Sequence, residues 1–580
     1  MKLQKSFDIF KKAKLLFFII TLSFTLLPSS SPIASEDVSS MVYEAEEAQL
    51  SDLKVEKSLS GFSGSGYVTG FTNDTGSVTF TVEVPSTAVY KLTVGYAAPY
   101  GYKKANLLLN GAGQGEVELT EVSGFTEASA GSILLNEGSN TITLEKGWGW
   151  YIIDYIKIVP TENPEQHQVA KELINPHATK EAVSLLSFLV DHYGKNILSG
   201  QQVYPNDNLI DVQFIHQQTG KKPAVLGLDF IDNSPSRVER GTSADEVKVA
   251  IDWWNNEGGI VAFTWHWNAP KDLIDQPGKE WWRGFYSDST TFDLQYALNN
   301  PDSEDYQLLI RDIDAISAEL KKLQDANVPV LWRPLHEAEG GWFWWGAKGP
   351  EPVKELWKIM YDRMTNHHKL NNLIWVWNSV SPEWYPGHEY VDIVSYDSYP
   401  GNYNYAPISN YFERLVELVD NKKLVAMAEN GPIPDPDLLP LYHANWSWFS
   451  TWNGSVLKDQ NTIDHLKKVY NHDYVLTLDE LPNLKTYLSD SIPTQFQQID
   501  DTINRFSADG QLDKPIASQL TNSLRQAEKH FQKGQFKQAT KKLEDLQKSL
   551  ENPGQQKNIG PDAKRLLKVN ANVLMLSLKE

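Results

Sequence analysis

The chain contains no cysteine in 580 residues. Disulfide frameworks, zinc–cysteine sites and thiol nucleophiles are therefore excluded. Positive charge is in deficit: 53 Lys and Arg stand against 74 Asp and Glu, for a formal net charge of −21 and a pI near 5.1. Such a balance leaves little to neutralise phosphates and argues against nucleic acid or an anionic membrane as partner. Long apolar runs are scarce too. One, Leu15–Leu27, follows Lys2, Lys5, Lys11, Lys12 and Lys14 and precedes small residues around Ser29–Ser35. It is too short for a comfortable membrane span. It reads as a bacterial-type secretory signal peptide over residues 1–35, which makes the mature protein soluble and secreted.

What remains is ample for large cores, since 41% of residues are hydrophobic. A chain of this length is expected to hold several domains. Residues 41–160 alternate in the β manner, as in Ser77–Val84, Tyr90–Ala97, Asn140–Leu144 and Tyr151–Val159, with Gly, Ser and Asn turns between them. That spacing predicts a β-sandwich. Residues 161–175, polar and containing proline, read as a linker. Residues 176–485 hold eight strand candidates (196–203, 224–231, 259–267, 329–337, 373–379, 391–399, 423–430 and 446–452) separated by helix-length segments, the pattern of a (β/α)8 TIM barrel. Residues 490–580 turn rich in Gln, Lys and Leu, with helical periodicity in Ile516–Phe531, Phe536–Leu550 and Pro561–Leu578, and predict a small helical bundle. Of 19 tryptophans, 17 lie between Trp253 and Trp452. Runs such as Trp342–Trp345 and Trp446–Trp452 are denser than a core usually needs, and aromatic faces with one wet edge suit sugar stacking.

Two apolar runs of the barrel region close on a glutamate: Leu331–Glu337 (LWRPLHE) and Met427–Gly431 (MAENG). Carboxylates at the C-terminal ends of the fourth and seventh strands lie at the mouth of such a barrel, where its active sites form. Two facing carboxylates there suit glycosidic bond cleavage, one protonating the leaving oxygen and the other attacking the anomeric carbon. Like charges that close together are expected to hold the acid protonated near neutral pH. Glu339 is a competitor for the acid role, but it sits past the motif in the loop. Alternation places Arg333, Leu335 and Glu337 on one face of the fourth strand, with Arg333 beneath the carboxylates, where it keeps Glu429 ionised. Ser395, Asp397 and Tyr399 share a face of the sixth strand by the same rule.

These motifs carry a resemblance. The HWN of His266–Asn268, the WRPLHE segment, Trp342 five residues after Glu337, the stretch Tyr385–Tyr399 and the AEN around Glu429 together resemble glycoside hydrolase family 26, over most of residues 176–480. The family's main activity is endo-β-1,4-mannanase. The resemblance implies a retaining enzyme with Glu337 as acid/base and Glu429 as nucleophile. It implies a tyrosine donating to the nucleophile, Tyr399 or, one register away, Tyr396, and sugar contacts from His266 and His336. Trp342 and Trp452 would bracket the cleavage subsite, and Trp281 or Trp282 would line a glycone subsite. No cofactor is expected for catalysis. Residues 41–160 resemble a family 35 carbohydrate-binding module through Tyr43–Glu46 and Gly147–Ile158. That likeness implies a structural calcium held by Glu44, Glu46 and Asp154; Trp148 and Trp150, on a Gly-flanked loop, are the sugar-stacking candidates. The C-terminal region resembles the FIMAH module of secreted bacterial enzymes, which implies no chemistry and no known partner. The expectation is a secreted endo-β-1,4-mannanase acting on mannan, galactomannan or glucomannan. The alternatives are a xylanase or mixed-linkage β-glucanase on the same scaffold, or a non-catalytic cell-surface carbohydrate-binding protein.

Overall fold

The computed structural model describes residues 40–161 and 167–579. The expected signal peptide lies outside the described residues, as do residues 162–166 of the expected linker. No helix among the described residues is long and apolar enough to cross a membrane.

The N-terminal unit is a sandwich of a six-stranded and a five-stranded sheet. Alternation does the sorting. In Ser77–Val84, Val78, Phe80, Val82 and Val84 point inward and are buried, while Thr81 and Glu83 face water. They meet inward residues of both sheets, including Leu92, Val94, Ile142 and Ile156, in one hydrophobic core.

The central unit is a closed barrel of eight parallel strands. They are Gly200–Gln202, Val225–Asp229, Ile260–Thr264, Val330–Arg333, Leu373–Asn378, Ile393–Ser398, Leu424–Asn430 and Phe449–Thr451. Each falls inside one of the eight runs marked in the sequence. Every residue of the second, fourth, fifth and seventh strands is buried, because helices cover their outer side and side chains fill the interior.

The fourth strand departs from expectation. It ends at Arg333 rather than Glu337. Pro334 has no N–H for the ladder, and it restricts the backbone of the residue before it. Leu335 and Glu337 then both adopt left-handed backbone at φ 52°. The expected sharing of one strand face by Arg333, Leu335 and Glu337 is thereby corrected: Leu335 is buried in the turn, and Glu337 reaches the barrel mouth from that turn.

Tryptophan is chiefly core here. Twelve of the 17 between Trp253 and Trp452 are buried, among them Trp344, Trp345, Trp446 and Trp448. The dense runs therefore fill the barrel's wall more than they line a cleft, and Trp342 and Trp452 are the members of those runs that reach solvent.

The C-terminal region forms four helices, Ile492–Ala508, Lys514–Phe531, Phe536–Glu551 and Pro561–Ser577, around a core of Ile499, Leu520, Leu543, Leu567 and their neighbours. The first of these adds to the three periodic segments seen in the sequence. Residues 167–175 are packed rather than slack. The Ile174 N–H donates to Asp392 Oδ1 at 2.7 Å, Lys171 is buried 2.7 Å from Asp191, and Gln498 of the helical region donates to that same aspartate.

The sandwich is docked on the barrel helix Ser409–Leu418. The Ser132 N–H donates to Ser409 Oγ at 3.0 Å, Ser132 Oγ donates to Glu413 at 2.7 Å, and the Tyr411 hydroxyl donates to Glu118 at 2.9 Å. Arg414 pairs with the same Glu118 at 2.5 Å. Gly131, at φ 79°, lies so close that a Cβ there would stand 2.6 Å from the Asn410 nitrogen.

Candidate active site

The mouth of the barrel gathers three carboxylates. Glu337, Asp397 and Glu429 bring oxygens within 4.8 Å of one another. Asp397 and Glu429 come from adjacent strands, Ile393–Ser398 and Leu424–Asn430, and are paired in register. Both are buried, in a site where unpaired charge would be costly. Arg333 supplies the counter-charge. Its Nη1 donates to Asp397 at 2.5 Å and its Nη2 to Glu429 at 2.6 Å. A planar guanidinium offers one nitrogen to each carboxylate in a fixed fork, which a single-nitrogen lysine ammonium lacks. Burial opposes the Arg333 charge, but Asp397 and Glu429 outweigh it and raise its pKa.

The remaining lone pairs are assigned by donors. The Tyr399 hydroxyl donates to Glu429 Oε1 at 2.6 Å, so both oxygens of Glu429 act as acceptors. Burial and the adjacent Glu429 push the Tyr399 phenol well above its ordinary range and hold it as a donor. Asn378 donates to the second oxygen of Asp397 at 2.9 Å, and its own carbonyl accepts the Glu337 N–H at 2.8 Å. Glu337 accepts one side-chain donor, Trp342 Nε1 at 3.0 Å. Burial, with the fields of Asp397 and Glu429, pushes the Glu337 carboxyl well above the usual carboxylate range. Burial raises Asp397 as well, against the pull of Arg333 and Asn378. Since Asp397 has both oxygens occupied by donors and Glu337 has one, the proton shared among these acids belongs on Glu337.

A wall of rings stands beside the carboxylates. His336 Nε2 lies 3.2 Å from His266 Nε2. The His266 ring is 5.2 Å from Phe285, 5.5 Å from Phe343 and 5.7 Å from Trp452, centroid to centroid. Trp452 is fixed to the seventh strand by its N–H to the Asn430 carbonyl at 2.8 Å. Trp342 is exposed at the rim.

Glu337, Glu429, Arg333, His266, His336, Trp342, Tyr399 and Trp452 thus gather at one mouth. Tyr396 does not belong to it. Its ring turns outward and stacks on Tyr411 at 4.0 Å, because alternation sends residue 396 to the opposite side from Asp397. Trp282 is exposed and connects to the cluster indirectly. Its carbonyl accepts from Arg237, whose guanidinium lies 5.9 Å from the Phe285 ring. Glu339 is occupied elsewhere, accepting a hydrogen bond from Ser379 Oγ. Asn378 and Asp229, neither singled out in the sequence, hold the Glu337 backbone and the His266 ring. A polar residue closing an otherwise apolar strand run is the signal that marks both.

In the sandwich, Glu44, Glu46 and Asp154 converge on the loop Ser63–Gly66. The Ser63 N–H donates to Asp154, Ser63 Oγ donates to Glu44 at 2.7 Å, and the Gly66 N–H donates to Glu46 at 3.1 Å. Their oxygens do not close as tightly as those of the barrel cluster. Glu44 Oε2 and Glu46 Oε2 are nevertheless buried without a hydrogen-bond partner. Burial, with the charges of Glu44 and Glu46, raises Asp154 to about 6. An oxygen-only set with two orphaned anionic atoms fits a calcium ion. Trp148 and Trp150 are both exposed, at 69% and 62%, and the Trp150 ring meets Tyr100 edge to face at 6.3 Å.

The chain is similar to known proteins along its length. The model for Glycosyl hydrolase family 26 matches residues 174–480, that for Carbohydrate binding module (family 35) matches 41–161, and that for the FIMAH domain matches 496–575. A mannan endo-1,4-beta-mannosidase of Thermothelomyces thermophilus is 48% identical over 455 residues, 78% of this chain and 92% of the relative. Mannan endo-1,4-beta-mannosidase B of Piromyces sp is 40% identical, over 77% of this chain and 78% of the relative. The crystal structure of a Podospora anserina GH26-CBM35 beta-(1,4)-mannanase is 48% identical at a TM-score of 0.57, covering 77% of this chain and all of that one.

Proposed function

Because the chain belongs to glycosyl hydrolase family 26, we propose that it is a secreted endo-β-1,4-mannanase that cleaves mannan, galactomannan or glucomannan with retention of configuration. The observation that carries the mechanism is the spacing of Glu337 and Glu429, whose oxygens lie within 4.8 Å. An inverting enzyme needs about 6.5–9.5 Å between its carboxyls to admit a water, and a retaining one about 5–5.5 Å. Glu429 is the nucleophile, with Arg333 and Tyr399 fixing its two oxygens. Glu337 is the acid, the one carboxyl of the three with room for a proton.

The geometry also times the proton. Once Glu429 carries the sugar as an ester, its negative charge is gone and one cause of the raised Glu337 pKa goes with it. Glu337, having given its proton to the leaving oxygen, then meets the incoming water as a base. His266, His336, Trp342 and Trp452 line the sugar-binding wall, and catalysis uses no cofactor. The sandwich binds polysaccharide through Trp148 and Trp150, with calcium at Glu44, Glu46 and Asp154 shaping the 63–66 loop.

Proton NMR of freshly released mannobiose tests the mechanism: the β anomer is expected first, and an initial α anomer refutes the assigned roles. Reducing-sugar release compared across mannan, xylan and mixed-linkage glucan tests the substrate. Mannan is expected to dominate.

A further inference from the structure

A chain of five polar groups runs behind the ring wall, and its hydrogens can be counted. Asp229, at the end of the second strand, accepts the His266 N–H at 3.0 Å and lies 2.5 Å from His266 Nδ1. His266 Nε2 faces His336 Nε2 at 3.2 Å. His336 Nδ1 faces Thr264 Oγ1 at 3.0 Å, and Thr264 Oγ1 lies 3.1 Å from the Arg333 carbonyl oxygen. All four side chains are buried.

A carbonyl oxygen can only accept, so the single hydroxyl hydrogen of Thr264 goes to Arg333. His336 Nδ1 must then donate to Thr264. His336, neutral, keeps a bare Nε2, and the hydrogen between the two rings must come from His266. His266 Nδ1 must also donate, because its partner is a carboxylate. His266 therefore carries hydrogens on both nitrogens. In the opposite direction the Thr264 hydrogen turns to His336, and two oxygen lone pairs are left facing each other at 3.1 Å in a dry site, an arrangement that buried polar groups avoid.

We infer that Asp229 is a positioning residue for the sugar-binding wall, holding His266 as an imidazolium and, through it, His336 as the Nδ1–H form. Burial and the charges of Arg333 and His266 hold His336 far below the usual histidine range. Burial works against the Asp229 anion, but the adjoining His266 keeps its pKa below the ordinary value. Arg237 and Glu246 are further charged groups whose fields reach Asp229. The chain ends on the main chain of Arg333, the residue whose side chain bridges Asp397 and Glu429. Asp229 thus connects the second barrel strand to the register of the bridging arginine without touching sugar.

The inference rests on reading this mouth as the sugar-cleaving site, but its first test does not use activity. Nitrogen-15 NMR of histidine-labelled protein at neutral pH should show both His266 nitrogens protonated and His336 protonated at Nδ1 alone. A neutral His266, or a proton on His336 Nε2, overturns it. Asp229→Asn keeps a donor–acceptor contact to Nδ1 while removing the charge. His266 should then bear one hydrogen, at Nε2, and kcat/KM on mannopentaose should fall about tenfold, the scale of a lost charge-assisted hydrogen bond. The fall should appear mainly in KM. Thr264→Val removes the acceptor at the far end, but the His266 Nε2–H still needs a bare His336 Nε2, so the His336 hydrogen should stay on Nδ1. An unchanged His266 spectrum in Asp229→Asn, or a His336 hydrogen moved to Nε2 in Thr264→Val, overturns the inference. If Asp229→Asn fails to fold, the wild-type and Thr264→Val spectra decide. Correct spectra in a protein inactive on every polysaccharide would instead sink the functional reading.

Discussion

At the residue scale, one arginine bridges two of three neighbouring acids, and the third, Glu337, accepts a single side-chain donor where Asp397 and Glu429 each accept two. That inequality separates their roles better than position in the sequence does. Glu337→Gln and Glu429→Gln are each expected to lose at least about 10²-fold in kcat on polymer with the fold intact, whereas Glu339→Gln, removed from the cluster, should stay near wild type. An aryl mannoside with a good leaving group should spare the first step in Glu337→Gln and not in Glu429→Gln. A crippled Glu339→Gln would reverse the assignment. The pH dependence has a definite sign. Burial, then Asp397, then Glu429 raise Glu337, so the acid form is present below the raised value and activity falls as pH climbs through it. Asp397→Asn removes one raising charge and should move the alkaline limb of kcat/KM to lower pH. Stability has the same sense. A carboxyl raised in the folded state contributes below its unfolded value and loses that contribution as pH rises through the folded one. Glu337→Gln should therefore gain in melting temperature over wild type on the alkaline side, measured by thermal scans at several pH values.

At the element scale, the informative piece is the turn after the fourth strand. Pro334 ends the strand, and two non-glycine residues then sit in left-handed backbone, a strained arrangement that surroundings must hold. Two hydrogen bonds do so: Asn378 to the Glu337 N–H, and Trp345 Nε1 to the His336 carbonyl at 2.9 Å. Asn378→Ala and Trp345→Phe should each cost about 1–3 kcal/mol of stability. They should also lower kcat disproportionately, because Glu337 would no longer be held at its place. Thermal denaturation and single-turnover kinetics measure the two effects separately. Much at this scale was legible beforehand. Most of the strands are visible because buried parallel strands are rich in apolar residues, and simple alternation puts Asp397 and Tyr399 on one side of the sixth strand's run, where both meet Glu429 or its strand. The turn is not legible in this way, because alternation holds only while the ladder continues and Pro334 ends it. Asn378 and Asp229 each close an apolar run, which marks them as polar residues at the barrel mouth, but their roles lie in partners 41 and 37 positions away, which that local mark does not identify. The tryptophan runs misled for the opposite reason: the same ring that suits a sugar also suits a wide barrel wall.

At the scale of the whole molecule, sandwich, barrel and helical region are packed together, and removing one exposes surfaces the others cover. Deleting residues 40–160 should leave Arg414 and Tyr411 without Glu118. The remaining barrel should melt at a lower temperature yet turn over soluble oligosaccharides per folded molecule much as before. Attack on insoluble mannan should weaken more, since tethering raises local substrate concentration without adding chemistry. Chelation should lower the melting temperature of the sandwich if calcium sits at Glu44, Glu46 and Asp154, by the linkage of ligand binding to folding. An unchanged melting curve in chelator would remove the ion from the site.

The seam between Gly131 and Asn410 bears on how such an enzyme can be recombined. A foreign sandwich with any side chain at the glycine position would collide with the barrel helix before its own binding face mattered, and one lacking an acid at the place of Glu118 would strand Arg414. Module and barrel are therefore matched as lock and key are. They are inherited profitably as a pair, and exchange of either half alone calls for simultaneous change on both sides of the seam. If Trp148 and Trp150 are the sugar platform proposed above, a change of binding specificity is better sought by redesigning their loop than by transplanting a whole domain.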